Sequence, residues 1–441
     1  MGLRKIGGSL AIESTTIWEN SDPPWPHIDC GGLCVDYVDV DISNSIIWNH
    51  EAETISDWGS TLDIEWCDIS GGWPGDGNID ADPLFCNEPC TPTDLSLSRL
   101  SPCRNAGRNG ADIGAGGMGC EEPYVHTART IHVPSDQATI ADAIDAGCEG
   151  DTVLIAAGAY FEGDLEFQRR NIVVRGEKMP RGIDDDEVAV VDARDHGYGF
   201  RFMLDEGSDT ELSRLVIANA RGRGIVAAVP AAPTIENCIV RGNRGGGIEC
   251  QGASEIRGCI VTGNSADAGG GISIPLWEAR PQIINCVIEN NVASVGGGLY
   301  ISQSEDGLVE NCVIRGNVAT AGSNGGGGGF FGAHWYTFDV ANSIIWDNSP
   351  NQIGVFDSVA VAISHSNVMG GWPGEGNIDA DPLFATWHGR PSVLRPASPC
   401  IDSGDPMSGS DGIDWPPRYD NDPARADMGA YGGPGADIWL P

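Results

Sequence analysis

Residues 236–243 read ENCIVRGN, and the same pattern returns as RGCIVTGN (257–264), INCVIENN (284–291) and ENCVIRGN (310–317). A fifth copy, ANSIIWDN (341–348), carries Ser343 where the others carry cysteine. The steps between these Cys or Ser positions are 21, 27, 26 and 31 residues. Each copy but the last is followed by a glycine cluster and a second apolar run: GGGIEC, GGGISI, GGGLYI and GGGGGFF. A weaker copy, LSRLVIANARGRGIVAA (212–228), extends the series towards the N-terminus.

Units this short cannot hold a helix pair, and they lack a 3.6-residue apolar period. β-branched runs punctuated by Gly and Asn read as short strands with tight turns. A 20–30-residue unit of two or three such strands is one coil of a parallel β-helix, whose coils stack about 4.8 Å apart so that equivalent residues form ladders. Strand alternation puts Cys238, Cys259, Cys286, Cys312 and Ser343 on the inner face with Val240, Val261, Ile288, Ile314 and Ile345. Five residues after each comes an asparagine: Asn243, Asn264, Asn291, Asn317 and Asn348. Asparagine tolerates the left-handed conformation, and its amide can donate to one coil while accepting from the next. Both ladders read as structural: inward thiols as inert packing, stacked amides as a register clamp.

Upstream, TIHVPSDQATIADAIDAGCEGDTVLIAAG (130–158) has the outline of a capping box at Thr139–Asp142 and an apolar stripe of Ile140, Ala143 and Ile144. Gly147 supplies a stop before the strand at 153–156. A short amphipathic helix there covers the open apolar end of the first coil. This stretch, continued by GAYFEGDLEF (158–167), NIVVRGE (171–177) and VVDARDHGYGFRF (190–202), resembles the pectate-lyase-like superfamily of right-handed parallel β-helices. NSIIWDN, GNIDADPLF, SPCIDSGDP (398–406) and ADMGAYGG (426–433) resemble the choice-of-anchor Q type of ending found on bacterial surface and secreted β-helix proteins.

That ending is written twice. GGWPGDGNIDADPLF (71–85) and GGWPGEGNIDADPLF (370–384) differ at one position, Asp76 against Glu375. NSIIWNH (44–50), SPCRNAG (101–107) and ADIGAGG (111–117) accompany the first copy in the same order. TTIWEN (15–20) reads as one further coil. The expected fold is therefore all-β: residues 1–120 the C-terminal part of an upstream β-helix, 121–129 a linker, 130–348 a right-handed parallel β-helix, and 349–441 a capping, anchor-type unit. The duplicated segment is expected to leave the last coil and fold back over its exposed end, seating Trp73 and Trp372 on apolar surface.

The composition bounds the partners. The 441 residues hold 62 glycines and 63 acidic against 25 basic side chains, a formal net charge of −38. Such a surface argues against nucleic acid, because phosphate binding needs Lys and Arg. No apolar run is long enough for a transmembrane helix, and the first twenty residues lack the apolar region of a signal peptide. Together with the partial upstream copy, this reads as a chain whose natural N-terminus lies further upstream. Of the 14 cysteines, the close pairs Cys30/Cys34 and Cys86/Cys90 could each form a small disulfide, and no opposed C-x₂-C pairs suggest zinc.

Fold leaves function open. The resemblance implies that a hydrolase would carry paired carboxylates on neighbouring coils, and a lyase an Arg or Lys base beside acidic calcium ligands. Those strings are absent; Asp184–Asp186 fall in a loop, and Arg241, Arg257 and Arg315 fall at coil turns without recurring carboxylates. Asp192, Asp195 and His196 form the most enzyme-like local cluster. His334, Trp335 and Tyr336 are candidate sugar-stacking residues. Asp402, Asp405, Asp420 and Asp422, within a wider acidic tail, are candidate calcium ligands, calcium being the one cofactor the sequence suggests and none being required. The expectation is an extracellular or cell-surface protein that presents a flat face to a polysaccharide or cell-surface glycan. The alternatives are a divergent polysaccharide lyase or glycoside hydrolase, and a structural spacer in a tandem surface array.

Overall fold

A computed structural model describes residues 3–18, 32–48, 54–86, 95–122, 126–180, 182, 187–204, 206–275, 279–302, 307–321, 326–333, 337–356, 360–408, 425–433 and 436–439. The chain forms two compact units, Met1–Thr127 and Ala128–Pro441. No helix among the described residues is long and apolar enough to cross a membrane.

In the second unit the coils contribute strands to three parallel sheets of ten, nine and eight strands, in which spatial order follows chain order. The first sheet begins at Thr130–Val133, the second at Gly158–Tyr160 and the third at Leu165–Glu166. All three continue past residue 348, ending at Ala360–Ser364, Asn367–Val368 and Asn351–Phe356. The last coils thus use residues that the sequence reading assigned to the C-terminal unit. Inward side chains stack into one core: Ile235, Ile256, Ile283 and Val309 from the first sheet, Val240, Val261, Ile288 and Ile314 from the second, and Ile248, Ile272 and Leu299 from the third. Each buried aliphatic side chain of this kind contributes about 1.5–3 kcal/mol.

The cysteine ladder lies inside, as its spacing requires. Cys238, Cys259, Cys286 and Cys312 are buried, and each thiol donates to carbonyls of its own coil and the coil before; Cys286 reaches Ile284 O at 3.3 Å and Ile256 O at 3.4 Å. Burial raises the thiols of Cys238, Cys259 and Cys286 well above their ordinary range, which leaves them without thiolate character.

The asparagine ladder is continuous. Nδ2 of Asn243, Asn264, Asn291 and Asn317 donates to Oδ1 of the next asparagine at 3.0–3.1 Å, and Asn348 ends the run on Gln352 Oε1 at 2.8 Å. The ladder asparagines are not the left-handed residues, however. That conformation falls on the residue before each: Gly242, Gly263, Asn290, Gly316 and Asp347, with φ between 55° and 67°. A second left-handed column precedes the cysteines, at Asn237, Gly258, Asn285, Asn311 and Asn342.

The helix Ile140–Ala146 closes the N-terminal end. Thr139 Oγ1 accepts from Asp142 N–H at 3.0 Å, and the Glu162 carboxylate takes the Ile140 and Ala141 N–H groups at 3.0 Å each. Ile140, Ala143 and Ile144 face the core. Gly147 ends the helix in an extended conformation (φ −75°) rather than a left-handed one. At the other end Trp372 packs on the core, and Asn377 ties its turn to Ile363 O, Trp372 O and Ser366 N–H.

Beyond residue 383 the chain does something the sequence reading did not foresee. It runs along the outer face of the second sheet instead of staying at the coil end. Val188, Val216, Ile239, Ile260, Val287, Val313 and Ile344 point outward, and Val393, Leu394, Cys400, Met428, Ala430, Tyr431 and Trp439 cover them. The second left-handed column holds this strap: Asn285 Nδ2 donates to Ala430 O and Gly432 O, Asn311 Nδ2 to Asp427 O, and Asn342 Oδ1 accepts from Asp405 N–H at 2.7 Å.

The first unit repeats the scheme on a smaller scale. Leu3–Glu13, Leu33–Ser43 and the pair Ile55–Trp58 and Thr61–Glu65 run parallel, as do Thr16–Trp18, Ile46–Trp48 and Asp68–Ile69. Trp73 packs on its core. Cys86 is bonded to Cys120, not to Cys90, because Cys86 N–H bonds Ser96 O and Leu97–Ser98 pairs with Met118–Cys120, which brings the two Cα atoms to 5.8 Å. Cys34 is disulfide-bonded; Cys30 and Cys90 lie outside the described residues.

Candidate functional site

Asp192, Asp195 and His196 do not converge. Asp192 is buried and closed by Arg194, whose guanidinium holds its carboxyl below the usual carboxylate range. A general acid at neutral pH needs the opposite shift. Asp195 is exposed and meets Arg221 at 3.3 Å. His196 Nδ1 lies 3.4 Å from Asp164 Oδ2, and Asp164 also accepts the Gly197 and Tyr198 N–H groups. These are the bonds of a well-made turn. His334, Trp335, Tyr336 and Asp184–Asp186 lie outside the described residues.

Arg241, Arg257 and Arg315 sit on strands, and two of them, Arg257 and Arg315, are paired with carboxylates across coils. Arg257 bonds Glu236 through Nε and Nη2 at 2.9 and 2.6 Å, and Arg315 Nε lies 3.8 Å from the buried Glu289. Local strings could not show this, since the partners come from neighbouring coils.

Of the calcium candidates, Asp420 and Asp422 lie outside the described residues. Asp402 and Asp405 are turn residues. Asp402 is left-handed (φ 54°) and its N–H bonds Asp427 Oδ1 at 2.8 Å; Asp405 Oδ1 accepts from Met407 N–H at 2.8 Å. The first unit supplies a comparison. Asn105 takes the place of Asp402 with φ 55° and the same bond to Asp112, and Arg108 takes the place of Asp405, its N–H bonding Asn44 Oδ1 at 2.7 Å. The same backbone bond is thus made by an arginine in one copy and an aspartate in the other, so the bond itself does not require a carboxylate.

The outer face of the third sheet gathers chemistry that sequence reading missed. Successive coils place Glu166, Arg201, Val226, Glu249, Ser273, Tyr300 and Phe331 side by side as cross-strand partners. Arg201 forms a close ion pair with Glu166 and lies over the Tyr198 ring, 5.1 Å from its centroid. Arg223 Nε meets Glu249 Oε2 at 2.6 Å, and Gln251 Nε2 donates to Glu249 Oε1 at 2.6 Å. Burial pulls the Arg223 guanidinium down from its ordinary range, with Glu249 opposing. Further along, Tyr300 and Phe331 stack with centroids 6.0 Å apart and planes 10° from parallel. The row passes from charged forks to the half-buried Tyr300 ring, with Val226, Ser273 and Phe331 buried and each named carboxylate closed by a guanidinium. This suits hydrogen bonding and stacking along an extended polar chain. The one signal in the sequence was the run of second apolar segments after the glycine clusters, whose unequal spacing hides the column.

A family model described as a right handed beta helix region matches residues 196–368. The crystal structure of pectate lyase Pel9A is similar over 69% of this chain and 96% of that one, at 15% identity and a TM-score of 0.46. No curated protein matches the sequence. The fold is an all-β, right-handed parallel β-helix.

Proposed function

We propose that this chain is an extracellular or cell-surface β-helix protein that binds polysaccharide without cleaving it, through the outer face of its third sheet. The row from Glu166 to Tyr300 carries the reading: the half-buried Glu166, Arg201, Glu249 and Tyr300 lie along one straight face of coils about 4.8 Å apart. The Cys86–Cys120 disulfide supports an oxidising compartment. The duplicated ending supports a surface protein closed by choice-of-anchor Q type units.

The test is affinity electrophoresis of the full chain through a panel of dissolved neutral and uronate polysaccharides. Retardation by at least one polymer is expected, and Arg201→Ala or Tyr300→Ala should each weaken it about tenfold with the melt preserved. Release of soluble or unsaturated products from any polymer, with calcium present, overturns the non-catalytic reading. Retardation indifferent to both substitutions moves the site elsewhere.

A further inference from the structure

We infer a second, independent saccharide site in the first unit, built on Tyr37 and Trp58 and selective for a glycan that carries free amino groups. Tyr37 is in the left-handed conformation (φ 53°) yet is 73% exposed. The register Asp36↔Trp58 and Asp39↔Thr61 places it opposite Gly59, which makes the same bend with φ 65°. Where the neighbouring strand uses glycine, this one bears a large aromatic in a conformation that L-residues avoid. Packing does not explain the choice, because the ring is mostly in water.

The bend is firmly made. Ser60 Oγ accepts from Val38 N–H at 3.0 Å and donates to Val35 O at 3.2 Å. The Tyr37 ring lies against Gly59, so closely that a Cβ there would sit 3.0 Å from Cε1. Next to Gly59, Trp58 is 71% exposed. Two large aromatics are therefore held outward at one bend of a strand pair whose remaining apolar side chains, Val35, Val38, Val40 and Ile55, are buried.

The surroundings select the ligand. Asp39, Asp41, Asp57 and Asp63 are exposed on these strands, and Asp36 faces Trp58 across the ladder. Aromatic rings stack on the C–H faces of sugars, and they also attract cations. Exposed carboxylates favour ammonium groups and repel uronates or sulfated chains. A glucosamine polymer meets both conditions.

The probe is a β-linked glucosamine hexamer, titrated calorimetrically into the full chain at mildly acidic pH, where the sugar amines are charged. The fully N-acetylated hexamer and a galacturonate hexamer serve as comparators. Binding of the amine form, at least about tenfold tighter than either comparator, is expected. Trp58→Ala and Tyr37→Gly should each weaken it about tenfold or more. Because Tyr37→Gly relieves the backbone, that variant should melt no lower than wild type. Absence of binding, equal binding of the three hexamers, or binding indifferent to both substitutions overturns the proposal. So does concentration-dependent self-association abolished by the same substitutions, which would make a second copy the partner. The third-sheet site is scored by Arg201 and Tyr300, so the two proposals fail separately.

Discussion

Asp68 and Asn367 hold the same place in the two copies of one turn, and both are fully buried. Asn367 Oδ1 accepts from Ala380 N–H, and its Nδ2 donates to Ala380 O at 2.7 Å and to Cys400 Sγ at 3.0 Å. Asp68 Oδ1 accepts from Ala81 N–H at 3.1 Å, and Oδ2 accepts the Cys103 thiol proton at 2.8 Å. Burial, helped by the charges of Asp80 and Asp82, raises the Asp68 carboxyl to about 6, against the pull of Cys103 and Ala81. Its folded pKa lies above its unfolded one, so the stabilisation it gives is complete below about pH 4 and lost as pH climbs through about 6. Hydrogen exchange of residues 33–69 should therefore show the first unit weaker near pH 7.5 than near pH 5 (values of the order set by that shift). Asp68→Asn should flatten the profile and stabilise the unit by about 1–3 kcal/mol at the higher pH. A profile unchanged by the substitution would remove Asp68 as its source. At this scale the sequence exposed the duplication but not the inequality within it, since Asp and Asn both serve as turn formers and only burial separates them.

The glycine clusters answer to the asparagine ladder, one element fitted to another. A Cβ at Gly271 would sit 2.6 Å from Gly298 O, 2.7 Å from Ile288 Cγ2 and 3.0 Å from Asn291 Nδ2; Gly247 and Gly298 face the same crowd one coil away. Gly271→Ala should cost about 1–3 kcal/mol through overpacking. Asn291→Ala should cost about 2–4 kcal/mol, because it leaves Asn264 N–H, Val261 O and Asn317 Oδ1 without that partner inside the stack. Denaturant melts of the two variants check both, and the double variant should fall somewhat short of the sum, since removing the amide relieves the Asn291 contact while those with Gly298 O and Ile288 Cγ2 stay. Both series were legible as strings. Their dependence was not, because it joins the second sheet to the third across a corner whose approach distance no pattern records. For the same reason the left-handed residue was placed one position late: the residue that turns the chain and the residue that clamps the turn are neighbours.

At the scale of the molecule, the strap explains why the recurrent strands are apolar on both faces. CIV and CVI runs put Ile239, Ile260, Val287 and Val313 outward, where an uncovered sheet would carry polar side chains. That pattern was visible in the sequence, but reading it needed the knowledge that a C-terminal segment lies along the flank as well as over the end. The described residues between 384 and 439 bury these side chains; Ser392 Oγ to Glu289 at 3.0 Å and Arg315 over the Phe384 ring at 4.9 Å hold them to the coils, and Tyr431 OH to Pro391 O at 2.7 Å ties two parts of the strap together. A chain ending after residue 383 keeps every coil and Trp372, yet exposes Val216, Ile239, Ile260, Val287, Val313 and Ile344. At about 1.5–3 kcal/mol each, the lost burial is on the order of 10 kcal/mol, comparable to the whole stability of a domain. Such a chain should bind a hydrophobic dye strongly and associate on sizing columns, whereas Asn285→Ala, which releases one point of the strap, should lower the melt and leave the protein monomeric. If the shortened chain stays monomeric, dye-negative and equally stable, the coils alone carry the fold and the strap is an appendage that the surface of the second sheet does not need.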